Sequence, residues 1–186
     1  KKIKNISNKS FYFFEIDILD IKKVSTILKK KKIDLVIHLA ALKKVNESIK
    51  HPDRYYKNNI LGITNLLEAM NNAKIKKFIF SSSAVVYGKS KYLPIDEKHT
   101  TEPLSPYGLT KLFGEKLLDY ISTTDRKWKI ISLRYFNPVG SHNSGKIGDN
   151  SNKPDNIMPV INNVALKKKK YFEIFGTNYN SKDGTA

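Results

Sequence analysis

Residues Leu35-Val-Ile-His-Leu-Ala40 form an unbroken apolar run of strand length, and no other feature restricts the possible fold as much. A strand with one wet face alternates apolar and polar side chains, whereas a strand buried on both faces of a parallel sheet reads as continuously apolar. The segments around it alternate in the same sense. Phe11-Tyr-Phe-Phe-Glu15 reads as a strand, and Ile21, Val24, Ile27 and Leu28 follow at helical spacing. A helix is expected over roughly 54–73, with Ile60, Ile63, Leu66, Leu67 and Met70 on one stripe. Phe78-Ile-Phe80 is the next strand and ends in Ser81-Ser82-Ser83. Beyond a loop holding Pro94, Pro103 and Pro106, a helix is expected over about 107–122 and a strand over 130–135. Strand–helix alternation with right-handed crossovers implies an α/β fold, a Rossmann-type doubly wound parallel sheet. From about Phe136 onward Gly, Asn, Asp and Pro increase. Residues 1–136 are therefore expected to form the sheet domain, and 137–186 the start of a second, smaller region.

Composition narrows the function classes. Lys and Arg number 34 against 17 Asp and Glu, a formal net charge of +17, which by itself suggests a nucleic-acid partner. Nearly all of that charge is lysine, in runs such as Lys29–Lys32 and Lys167–Lys170, with only Arg54, Arg126 and Arg134 as arginines. Nucleic-acid surfaces use Arg for bidentate phosphate and base contacts and interleave aromatics. The excess is read as a coding bias on solvated faces, with no specific nucleic-acid partner. The absence of cysteine excludes disulfides, thiolate metal sites and a Cys nucleophile. His38, His51, His99 and His142 share no helical ligand spacing, so no metal site is expected. No stretch approaches ~18 consecutive apolar residues and no leader is evident, so no membrane span and a cytoplasmic location are expected.

The chemistry is concentrated at the start of the helix after the proline loop, Tyr107-Gly-Leu-Thr-Lys111. A spacing of four puts Tyr107 and Lys111 on one face. A phenol titrates near pH 10, and a cation beside it favours the phenolate and brings it toward the working range. A lone Tyr-x-x-x-Lys match arises easily by chance. Here it follows a strand that ends in three serines, and ligands of such folds sit at the carboxyl ends of strands. A serine hydroxyl there can share a substrate hydroxyl's proton with the tyrosine.

These residues resemble the extended short-chain dehydrogenase/reductases, and within them the UDP-glucose 4-epimerases. Val36 to Lys43 with Val45-Asn-Glu-Ser48 is similar to the family's strand and loop beside the cofactor, and Tyr55-Tyr56 through Thr64 to its following helix. Phe78 to Gly88 and Ser105 to Lys111 resemble the catalytic segments. Leu133-Arg-Tyr-Phe-Asn-Pro-Val-Gly140, Asn156-Ile-Met-Pro159, Ile174-Phe-Gly176 and Asp183-Gly-Thr185 resemble the sugar-nucleotide segments. The resemblance implies an NAD-dependent interconversion of UDP-galactose and UDP-glucose. In that reaction C4 is oxidised by hydride transfer to NAD, the 4-keto sugar rotates, and the hydride returns to its other face. It implies Tyr107 as the base, Lys111 as the residue that holds the nicotinamide ribose and depresses the Tyr107 pKa, and Ser83 as the bridge to substrate. Asp17 and Ile18 would lie against the adenine, and Leu39, Ala40, Lys43, Asn59 and Phe136 would line the NAD. Asn137, Asn156, Ile157 and Phe175 would contact the UDP-sugar, and a homodimer is implied for the whole protein.

Some positions depart from that pattern. No glycine precedes Gly62, where a Gly-rich phosphate turn would be needed, and Asp183-Gly-Thr-Ala186 ends without a terminating element. The chain is therefore expected to be the middle of a longer enzyme, binding NAD weakly by itself. Asp155 stands where the family usually has Asn, and Glu173 where a small apolar residue is usual. The alternatives are a sugar-nucleotide 4,6-dehydratase or C5 epimerase of the same family, a polyanion-binding module, or an inactive truncated product. The dehydratases place an acid after the catalytic Ser or Thr; here that position is Ala84.

Overall fold

The computed structural model describes residues 2–7, 9–148, 156–174, 176–179 and 181–185. They form two compact units, residues 12–136 and residues 1–11 with 137–186. In chain order the helices are α1 (Lys2–Ile6), α2 (Ile21–Lys30), α3 (Val45–Lys50), α4 (Pro52–Tyr55), α5 (Gly62–Asn72), α6 (Pro106–Thr124) and α7 (Ile157–Ala165). The strands are β1 (Val36–His38), β2 (Lys77–Ser83) and β3 (Lys129–Tyr135).

The larger unit holds an open parallel sheet in the order β1-β2-β3, with Val36, Phe78 and Ile130 in register. Each step between neighbouring strands is a helical crossover. Right-handed crossovers that advance in one direction put their helices on one face. That face carries the core: Phe78 and Phe80 of β2 pack against Ile63, Leu66, Leu67 and Met70 of α5, Leu118 of α6, and Trp128. Val24 and Leu28 of α2 join from the side. Each large side chain buried in this way contributes roughly 1.5–3 kcal/mol of transfer free energy. The described residues thus build the α/β, Rossmann-type open sheet expected from the alternation, with its helices on one side.

Three details differ from the sequence reading. The Leu35–Ala40 run is not buried on both faces: Ile37 is 56% exposed, because no described element covers the face opposite α5 and α6. Phe11–Glu15 pairs with no strand. β-Propensity becomes a strand only where a partner edge is offered. Here Tyr12 and Phe14 instead stack on each other, with the Lys31 ammonium 3.5 Å from the centre of the Tyr12 ring. The helix expected over 54–73 is interrupted by a wide π-turn at Tyr56–Leu61.

Gly114 sets how closely α6 approaches the sheet. A Cβ at this position would lie 2.6 Å from the Phe80 ring, which is itself buried, so only glycine permits this spacing.

In the second unit, α7 follows Asn156, and the Asp183 carboxylate accepts hydrogen bonds from the Thr185 amide (3.1 Å) and hydroxyl (2.9 Å). Asp155 and Phe175 lie outside the described residues. No helix among the described residues is long and apolar enough to cross a membrane.

Candidate active site

The start of α6 is written into its sequence. Ser105 caps the helix by accepting a hydrogen bond from the Gly108 amide (3.1 Å), and Pro106 occupies the first turn, where its missing N–H costs nothing. Tyr107 follows at once and is only 8% exposed. One turn later Lys111, 5% exposed, donates from Nζ to the Ser81 carbonyl at 2.7 Å. Its ammonium lies 5.0 Å from the Phe80 ring centre and 5.8 Å from that of Tyr107. Ser83 ends β2 and caps the short 3₁₀ turn Ala84–Tyr87. Tyr107, Lys111 and Ser83 are therefore assembled at the carboxyl end of the central strand, where open α/β sheets bind their ligands.

Burial governs the charge states. Desolvation lowers the Lys111 pKa to about 8, so the ammonium persists at neutral pH but gives up its proton readily. Desolvation raises the Tyr107 phenol above its ordinary value, and a hydrogen-bonding interaction with Ser83 opposes that rise. Lys111 is the residue expected to depress the Tyr107 pKa. Its ammonium is directed at the Ser81 carbonyl, and Ser83 supplies the lowering influence. His38, packed against Phe78 and Phe80, is lowered to about 4 by desolvation and then by the Lys111 charge. It is neutral at physiological pH.

The loop after β1 is held from the helix side. Asn59, in the π-turn, accepts from the Leu42 amide (2.9 Å) and donates to the Leu42 carbonyl (3.0 Å) and to Thr110 Oγ1 (3.0 Å). Its oxygen also accepts from Asn58 (2.9 Å), so both donors and both lone pairs are used. Asn59, expected beside the dinucleotide, thus fixes the loop after β1. Tyr55, fully buried, grips the next turn of that loop: its hydroxyl donates to the Lys44 carbonyl (2.8 Å) and accepts from the Lys44 amide (3.1 Å). Its ring meets Tyr107 edge-on at 6.4 Å.

The other expected residues are distributed as follows. Leu39, Ala40 and Lys43 are exposed along the loop after β1. Asp17 is exposed in a turn, where its carboxylate accepts from the Leu19 amide (2.9 Å). The Ile18 side chain packs into the core beside Gly62 and so is turned toward α5. Phe136, 60% exposed, leans on Tyr87 at the end of β3. Asn137, Asn156 and Ile157 belong to the second unit. The sequence reading gave no role to Tyr55, Thr110, Glu115 or Arg134. Glu115 is the one with a sequence signal, since it continues the Tyr107–Lys111 spacing by another four residues.

The whole chain, residues 1–186, matches the family model described as GDP-mannose 4,6 dehydratase. The chain belongs to that family, a branch of the extended short-chain dehydrogenase/reductases. Among curated relatives, the UDP-glucose 4-epimerase of Drosophila melanogaster is 44% identical over 187 residues, covering 100% of this chain and 53% of that protein. The solved UDP-glucose-4-epimerase from Stenotrophomonas maltophila, with bound NAD and formylated UDP-arabinopyranose, superposes with a TM-score of 0.94 at 40% identity. That match covers 99% of this chain and 55% of the other. The UDP-glucose 4-epimerase of Bifidobacterium longum in complex with NAD+ and UDP gives a TM-score of 0.92 at 40% identity, covering 99% and 56%. The chain thus spans about half the length of these members of the extended family.

Proposed function

We propose that the whole protein is an NAD-dependent UDP-glucose 4-epimerase and that this chain carries its acid–base centre. The observation that carries the reading is the buried Tyr107–Lys111 face of α6 closed onto the serine end of β2. The names of the relatives and the ligands of the solved neighbours support the substrate and cofactor.

The residues fit a dinucleotide. Lys111 uses one of its three N–H donors on Ser81, leaving two for the vicinal hydroxyls of a ribose. Leu39, Ala40 and Phe136 present exposed apolar surface at the strand ends, suited to flat rings, with Lys43 and Asp17 as polar neighbours. NAD, when bound, supplies the reversible hydride acceptor. Tyr107 then takes the proton from the sugar C4 hydroxyl and returns it, with Ser83 holding that hydroxyl in line. A phenol whose pKa is raised by burial is a strong base once ionised, and the Ser83 hydrogen bond opposes part of that rise. By the same resemblance Asn137, Asn156, Ile157 and Phe175 would contact the UDP-sugar.

The 4,6-dehydratase alternative needs an acid after Ser83, and Ala84 offers none. Leu109, Phe113 and Tyr120 expose apolar side chains along one outer stripe of α6, which supports a homodimer. The test is to supply UDP-galactose deuterated at C4 to the whole protein with NAD. UDP-glucose should form with deuterium retained at C4 and without net reduced nicotinamide. A dehydrated 4-keto-6-deoxy product, or stoichiometric reduced nicotinamide, would overturn the assignment.

A further inference from the structure

Glu115 is buried on α6, one turn beyond Lys111 and two beyond Tyr107. Its carboxylate accepts the Ser82 hydroxyl and is clamped by Arg134 of β3 through Nε (3.0 and 3.2 Å) and Nη2 (2.7 Å). Hydrogen bonding to Glu115 is also the leading reason that Arg134 is raised above its ordinary value. A buried ion pair is weak evidence for stability, because desolvation offsets the attraction, but it fixes geometry well. The guanidinium lies over the Tyr87 ring at 4.7 Å, and its Nη1 has no hydrogen-bond partner among the described residues. Arg134 therefore sits where the carboxylate needs it and leaves one of its own donors unsatisfied. Three successive residues of β2 meet the same face of α6: Ser81 through its carbonyl to Lys111, Ser82 through its hydroxyl to Glu115, and Ser83 beside Tyr107. The Glu115 contact is tied in addition to a third element, β3, by the bidentate Arg134 clamp.

We propose that Glu115, clamped by Arg134, is a positioning residue for the Tyr107–Lys111 pair. It fixes the height of α6 against the end of β2, and thereby the reach of Tyr107 to Ser83 and of Lys111 to Ser81. The proposal rests on the reading of Tyr107 and Lys111 as the acid–base pair, so one arm of its test does not depend on turnover.

In that arm the protein is acetylated with limiting acetic anhydride, and labelling at Lys111 and Lys76 is compared by mass spectrometry. Lys76 is a control anchored elsewhere, on Asp125 (3.1 Å) and Asn71 (2.6 Å). Glu115→Ala should raise Lys111 labelling at least fivefold with Lys76 unchanged, and Glu115→Gln, which keeps the shape, should raise it less. Equal rises at both lysines, or none at either, overturn the proposal. In the second arm, Glu115→Ala and Arg134→Lys should lower kcat at least tenfold with the UDP-sugar KM within twofold, and Glu115→Gln should recover part of the loss. An unchanged kcat, or a KM that rises in proportion, overturns it. Tyr107→Phe is run alongside: if that variant turns over like wild type, the functional reading fails, while the labelling still decides the positioning.

Discussion

Replacing Lys111 by Met should change how stability depends on pH more than it changes stability at any one pH. In the folded protein desolvation holds Lys111 at about 8, against an ordinary value of 10.5. At pH values between those two the unfolded chain binds a proton that the folded chain has given up, so stability rises with pH across that window. Below pH 8 both states are protonated and the desolvation cost of the buried ammonium is fully felt. At ~1.4 kcal/mol for each pH unit between the two values, that cost is about 3 kcal/mol, of which about 2–3 kcal/mol is relieved between pH 7 and pH 10. Met fills much of the same volume without a charge, so Lys111→Met loses this slope; the His38 titration, which the Lys111 charge also influences, lies below the pH range used. The assay is urea unfolding followed by the fluorescence of Trp128, the chain's single tryptophan and a buried one, at half-unit steps from pH 7 to 10. Wild type should gain about 2–3 kcal/mol on the variant across that range. A wild-type-minus-variant difference that stays flat from pH 7 to 10 refutes the claim that Lys111 is held desolvated against the Ser81 carbonyl.

Other outcomes follow from the same packing. His38, held at about 4 against an ordinary 6.5, should destabilise the fold as pH falls through that window. His38→Phe, which keeps a ring against Phe78 and Phe80, should remove that part of the acid sensitivity; urea midpoints between pH 4 and 7 that fall equally in both proteins would contradict it. Gly114→Ala forces a methyl to 2.6 Å from the Phe80 ring. Overpacking of ~1–3 kcal/mol outweighs the roughly 1 kcal/mol by which a helix favours Ala, so the melting temperature should drop. A variant more stable than wild type would show that α6 has room to move.

What could be read from the sequence was what depends on local chemistry. The helix expected over about 107–122 is α6, Pro106–Thr124, within two residues at each end. The candidate trio could be picked out because Ser83 ends β2 and Tyr107 and Lys111 lie in the first turns of α6. The misses depend on partners far along the chain. Phe11–Glu15 has a strand's composition, but pairing is a property of two segments, and Lys31 claims its rings instead. The π-turn at 56–61 carries Asn59, whose partners Leu42 and Thr110 stand 17 and 51 residues away. Arg134 was visible as one of three arginines, yet its use is settled by Glu115 across the sheet. The exposure of Ile37 likewise reflects which elements cover β1, which its own apolar pattern does not encode.

The measurement closest to the central claim is turnover of UDP-galactose by the Tyr107→Phe variant of the whole protein, with UDP binding followed in parallel. Phe keeps the ring that meets Tyr55 and removes only the hydroxyl, so fold and nucleotide affinity should persist. Conversion to UDP-glucose should fall by ~10²–10⁴, the range that a positioned acid–base group contributes. A variant that binds UDP and epimerises at the wild-type rate would contradict the assignment of Tyr107 as the proton-transfer group.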